Sequence, residues 1–175
     1  MEAWRRGDIN RALDMYYHRN QIEPTPQMLA GKELHEKMEK HIIKHRQFPD
    51  WVSETIKLHD PLTEKVYVAD YNEKFLLKGI LDVIDNKVIY DLKTGLADSL
   101  KYTKEYQIPI YFLLCELMEI EVDRAILIHH NQYTGVNDLA MVWNGKRQIE
   151  RARNYIDSIG SDVLSYFESE GQPLW

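Results

Sequence analysis

The stretch 76–94 limits this chain more than any other. Two arms rich in apolar and β-branched residues, 76–84 and 88–94, flank the polar triplet Asp85-Asn86-Lys87. That pattern predicts a β-hairpin. If Asn86 and Lys87 form a two-residue loop, Asp85 faces Val88 and Asp82 falls opposite Asp91. A four-residue loop closed by Ile84 and Ile89 gives the same register. Lys93, two residues past Asp91, falls on the same face.

Stability alone does not explain such an arrangement. Opposed residues on one face of an antiparallel pair have Cβ atoms about 5 Å apart, and like charges there are destabilising. Two carboxylates that close share a proton or bind a cation. Apolar runs surround them (Leu76-Leu77, Ile80-Leu81, Val83-Ile84, Val88-Ile89), which predicts central, covered strands. A hard divalent cation suits paired carboxylates. The neighbouring lysine adds phosphate chemistry: a metal polarises a phosphoryl oxygen and lowers the pKa of water.

Asp82 followed by Asp91-Leu92-Lys93 resembles the signature of the PD-(D/E)XK nucleases. Flanking residues narrow the resemblance to the RecB-like branch, which includes the CRISPR adaptation nucleases and the nuclease domains of helicase–nucleases. The branch pattern G-x-x-D is matched by Gly79-Ile80-Leu81-Asp82. Its (D/E)-x-K-T-G is matched by Asp91-Leu92-Lys93-Thr94-Gly95, its Q-x-x-x-Y by Gln107 to Tyr111, and its upstream histidine by His35 in Gly31-Lys32-Glu33-Leu34-His35. The resemblance spans residues 28–145.

It implies an α/β fold with a restriction-endonuclease-like core, a central mixed sheet flanked by helices at 28–46, 101–118 and 146–168. It implies a metal-dependent DNA nuclease, an exonuclease. Asp82, Asp91, His35 and the backbone carbonyl of Leu92 would be the metal ligands. Lys93, Asp82 and Asp91 would be the catalytic residues, and Gln107 and Tyr111 would bind the substrate strand. The metal would be Mg²⁺ or Mn²⁺, with His35 biasing the site towards Mn²⁺ because imidazole is a softer donor than carboxylate. From spacing alone, His35 reads as a core-edge histidine; the resemblance makes it a ligand.

Bulk properties bound the rest. The chain has 175 residues, 44% hydrophobic and 29% charged, which suits one soluble domain. Its parts would be an N-terminal helix and loop (1–27), the core (28–145), and a C-terminal helix and tail (146–175). No apolar run approaches the roughly 18 residues of a membrane span, and no apolar region of a signal peptide follows Arg5-Arg6. The single cysteine, Cys115, excludes an intramolecular disulfide and favours a reducing, cytoplasmic compartment. It also excludes the four-cysteine iron–sulfur cluster that some RecB-like nucleases carry.

The net charge of −6 runs against a nucleic-acid enzyme. Residues 1–46 nevertheless balance at +2 and residues 47–98 at −4, and the proposed ligands lie mainly in the second segment. A bound cation would offset part of that charge. A protein partner or homo-oligomer could supply the missing positive surface, so the alternative function is a nucleic-acid-binding or assembly module that acts only with a partner. A small-molecule phosphohydrolase lacks a Gly-rich phosphate loop here. A buried ion network without a cation would be costly.

Along the chain, Asp8 caps an expected helix to about Arg19. The stripe Leu34, Met38, Ile42 predicts a helix over 26–46, and Gly31 suits close approach to the sheet. His41 and His45, interleaved with lysines, read as a solvated basic face. Residues 51–58 alternate as a strand, and 64–69 form a second. Glu54 and Glu64 read as surface strand residues, with an added acidic ligand as the other reading. Ser99 is a candidate cap for a helix over 101–118, whose start shifts towards Gln107 because of Pro109. Strands at 124–130 and 139–143 follow, with His129 and His130 structural or exposed. A last helix over 146–168 carries Ile149, Ala152, Ile156, Ile159, Val163 and Phe167.

Overall fold

The computed structural model describes residues 23–53, 56–73, 75–95, 98–131 and 133–169. The expected helix at 8–19, Glu54, the Phe167 side chain and the tail beyond 169 lie outside these residues.

Helix α1 spans Pro26–His45. Thr25 caps it, its side chain accepting from the Met28 N–H, and Pro26 sits in the first turn, where its missing N–H costs nothing. Gly31, Met38 and Ile42 form its buried stripe. Gly31 is required by packing: a Cβ there would stand 2.8 Å from Thr94 Oγ1. His45 is exposed and His41 half-buried, their rings 4.5 Å apart.

The strands are β1 (Leu62–Asn72), β2 (Phe75–Asp85), β3 (Val88–Gly95), β4 (Arg124–Asn131) and β5 (Asn137–Trp143). They form one mixed sheet in chain order, antiparallel except for the parallel pair β3/β4. Asn86 and Lys87 turn β2 into β3 with φ 45° and 65°, the positive-φ pair of a two-residue hairpin loop. Asp85 pairs with Val88, as the turn chemistry predicts.

The crossover from β3 to β4 carries α2 (Ser99–Thr103) and α3 (Gln107–Leu117). The single helix expected at 101–118 is thus two. A helix running through Pro109 would lose its N–H bond to residue 105 and press the ring on that carbonyl. The cap of α2 is Asp98 rather than Ser99: its side chain accepts from the Lys101 N–H at 3.0 Å. Helix α4 (Lys146–Ser169) packs Ile149, Ala152, Ile156 and Ile159 inward.

Two apolar clusters sandwich the sheet. On one face α3 and α4 cover Leu81, Ile84, Ile89, Ala125, Leu127 and their neighbours. On the other, α1 covers Val83, Val88, Tyr90, Leu92 and Ile128 together with Phe48, Val52 and Leu58. Residues 51–58 belong to that layer, but their described part forms no strand beyond a single bridge, Lys57 to Gln47. Local bonds win there. The N–H groups of Val52 and Ser53 go to the Pro49 carbonyl, and that of Ile56 goes to Ser53 Oγ. Among the described residues, no helix is long and apolar enough to cross a membrane.

Asp85 is buried, and its carboxylate accepts from the N–H groups of His59 (3.0 Å) and Asp60 (2.6 Å). Asp85→Ala leaves both amides without that acceptor. It is expected to lower unfolding free energy by about 2 kcal/mol in urea denaturation.

Candidate active site

The β2/β3 ladder runs Asp85↔Val88, Ile84↔Ile89, Val83↔Tyr90, and stops. The register continues to imply Asp82 opposite Asp91, but the strands part at that level. Leu81 packs in the α3–α4 cluster and Val83 in the α1 cluster, so β2 turns over at Asp82. β1 distorts beside it. Its pairs with β2 pass from Thr63↔Val83 to Lys65↔Leu81, and Glu64 between them has φ 45°. A left-handed glutamate in a strand is strained, a feature that clusters at functional sites.

These distortions bring three side chains together from two strands and a helix. His35 Nδ1 lies 3.6 Å from Asp82 Oδ2 and 3.9 Å from Glu64 Oε1. One donor atom from each of the three residues falls within a 4.8 Å span. Asp82 Oδ2 also accepts from the Leu92 N–H at 2.8 Å, which replaces the missing ladder bond.

Asp91, fully buried, is held from the α3 side. Lys93 Nζ lies 2.8 Å from Asp91 Oδ2 and donates to Gln107 Oε1 at 2.6 Å. Gln107 Nε2 donates to Asp91 Oδ1 (3.2 Å) and to the Tyr111 hydroxyl (2.7 Å). The Tyr111 hydroxyl in turn donates to the Ile80 carbonyl at 2.7 Å. Gln107 and Tyr111, one helical turn apart, therefore tie the acid–lysine pair to β2. Gly79 permits this approach, since a Cβ there would stand 2.9 Å from Leu114 and 3.3 Å from Tyr111.

The electrostatics describe a site short of positive charge. Burial, then the Asp91 charge, pushes the Asp82 carboxyl up to about 8. Burial also raises Asp91, against the pull of Lys93. Burial and the charge of Glu39 raise Glu64. Burial holds His35 below its usual range, which keeps the imidazole neutral and able to donate a lone pair. Oxygen and imidazole donors this close, with carboxylates that resist ionisation, suit a divalent cation.

The structure thus places His35, Asp82, Asp91, Leu92, Lys93, Gln107 and Tyr111 around one locus. Glu64, for which the sequence leaves a surface strand residue and an added acidic ligand as the two readings, joins His35 and Asp82. Its only sequence signal is its register position across β1/β2 from Asp82. His129, buried rather than exposed, pairs through Nδ1 with Asp138 Oδ1 at 2.7 Å beside Lys93 in the β3/β4 register.

No protein-family model matches the chain, and no curated protein sequence matches it. Solved structures do. A putative exonuclease from Eubacterium rectale aligns with a TM-score of 0.64 at 12% identity, over 90% of this chain and 73% of that one. The alkaline exonuclease of Laribacter hongkongensis aligns with a TM-score of 0.59 at 10% identity, over 95% and 83%. The fold is restriction-endonuclease-like. The SSO0001 protein shares it at a TM-score of 0.51 and 20% identity over 77% of this chain, which spans 60% of that protein. At these identities the likeness is one of fold.

Proposed function

We propose that this chain is a metal-dependent deoxyribonuclease, an exonuclease, of the RecB-like branch of the PD-(D/E)XK superfamily. The observation that carries the reading is the convergence of His35, Glu64 and Asp82 within 4.8 Å, next to an Asp91–Lys93 pair in 2.8 Å contact. His35, Glu64, Asp82, Asp91 and the Leu92 carbonyl would hold Mg²⁺ or Mn²⁺. When bound, the cation supplies Lewis-acid polarisation of a phosphodiester and a water of lowered pKa.

The chain's own groups do the rest. Lys93 presents an ammonium to the attacking water and to the charge that grows on the phosphoryl oxygens. Gln107 fixes both Lys93 and Asp91, which leaves few wrong rotamers for either. Tyr111 spends its hydroxyl on Gln107 and Ile80, so its part is to hold β2 against α3. The structural neighbours named as exonucleases support the exonuclease form.

One observation favours a second reading, in which activity requires a partner or another copy of the chain. Val66, Val68, Leu76 and Ile80 are exposed on the outer part of the β1/β2 hairpin, and the net charge is −6. An exposed apolar patch of that kind marks association surfaces.

End-labelled linear DNA and circular DNA, each single- and double-stranded, separate the two readings. The exonuclease reading expects Mn²⁺-dependent release of nucleotides from linear DNA alone. Cut circles would make the protein an endonuclease. Metal binding without cutting, rescued by a partner, would support the second reading.

A further inference from the structure

Helix α2 lies on the rim of the site, and the contacts of its two central residues were not anticipated by any motif. Two lysines lie over the Tyr102 ring: Lys93 Nζ is 5.9 Å from its centroid and Lys101 Nζ 5.5 Å. Its hydroxyl hangs over Gly95, where a Cβ would stand 3.8 Å away. Among the described residues, that hydroxyl makes no hydrogen bond and the Lys101 ammonium has no carboxylate within ion-pair distance. Among the described residues, a hydroxyl without a hydrogen bond and a cation without a carboxylate thus lie beside the proposed catalytic lysine.

The helix that carries them is firmly anchored for a five-residue element. Asp98 caps it at the Lys101 N–H. Asp138 accepts from the Ser99 N–H through Oδ2 at 2.7 Å and meets His129 Nδ1 through Oδ1 at 2.7 Å. Ser99 and His129 are buried, and the His129 ring lies 5.9 Å from that of Tyr102. Two side chains thus fix where α2 begins, and that fixes Tyr102 and Lys101 relative to Lys93. A charged donor beside a hydroxyl, both on a fixed backbone, is the chemistry that positions phosphates.

We infer that Lys101 and Tyr102 hold the phosphodiester next to the one attacked, so that the substrate is a polynucleotide strand rather than a mononucleotide. This rests on the nuclease reading for its location, but its test does not require cleavage. Binding of a fluorescent oligodeoxynucleotide is measured by anisotropy in Ca²⁺ over a range of salt, for wild type, Lys101→Ala, Lys101→Arg and Tyr102→Phe. Lys101→Ala is expected to weaken binding about tenfold. The slope of log K against log salt should flatten by about 0.7 on a single strand or 0.9 on duplex. Lys101→Arg should restore the slope, and Tyr102→Phe should weaken binding without changing it. In turnover, Lys101→Ala should raise KM and leave kcat within about twofold.

Unchanged affinity and slope in Lys101→Ala would overturn the inference, as would absence of binding by wild type. A flattened slope in a protein that cuts nothing would sustain the phosphate platform and sink the nuclease reading.

Discussion

Lys93→Ala is expected to slow DNA cleavage by about 10²–10³-fold, the usual effect of removing one pre-aimed electrostatic donor from a transition state. The residue is only 17% exposed, and its ammonium already contacts Asp91 Oδ2 and Gln107 Oε1. It is therefore held in place before any substrate arrives, and water fills that position poorly. The variant should fold, because Asp91 can take up a proton once its counter-charge is gone. That uptake has a measurable sign. Burial already raises the Asp91 carboxyl and Lys93 lowers it, so loss of Lys93 raises it further. A carboxyl raised in the folded state stabilises most at low pH and loses that contribution as pH rises. The stability gap between wild type and Lys93→Ala should thus widen with pH. A variant that keeps full activity would remove Lys93 from the reaction.

The second large effect concerns metal and pH together. Asp82 moves from an ordinary 3.8 to about 8 in the metal-free protein. Its stabilising proton is fully present below about pH 4 and is lost as pH climbs through about 8. The metal-free protein should therefore lose stability across that window. A divalent cation that binds the folded state reverses the loss, by about 2.7 kcal/mol at a hundred times its Kd. The melting shift produced by Mn²⁺ should grow as pH rises from 5 to 8, since binding must displace the Asp82 proton. In Asp82→Asn the shift should nearly vanish at every pH. Equal shifts at pH 5 and pH 8, or a full shift in Asp82→Asn, would contradict the assignment of Asp82 as a ligand.

Several features of this site were legible in the sequence for definite reasons. Asn86-Lys87 can adopt the paired positive φ of a hairpin turn, so the register from Asp85 outward could be counted. Gln107 and Tyr111 could be put on one side of a helix by their spacing, and Gly31 could be read as a packing glycine. What escaped depended on irregular backbone. Counting assumes a regular pleat, and β2 turns over at Asp82 while Glu64 adopts a left-handed conformation without glycine to signal it. That is why the pattern around Glu64 favours a surface residue over the acidic ligand that was its other reading. The alternation of Val52, Ile56 and Leu58 marked burial correctly for Val52 and Leu58. It could not reveal that turns around Pro49 and Ser53 replace the strand. The clamp of Asp138 on Ser99 and His129 joins residues from two elements whose neighbourhood only the β3/β4 crossover creates.

The proposed function requires metal-dependent hydrolysis at this one locus. Single-turnover cleavage of end-labelled linear DNA in Mn²⁺ and in EDTA, by wild type and Lys93→Ala, tests it most directly. Rapid cutting by wild type in Mn²⁺, none in EDTA, and cutting by the variant at least about a hundredfold slower are expected. Equal cutting in EDTA, or by the variant in Mn²⁺, would contradict it.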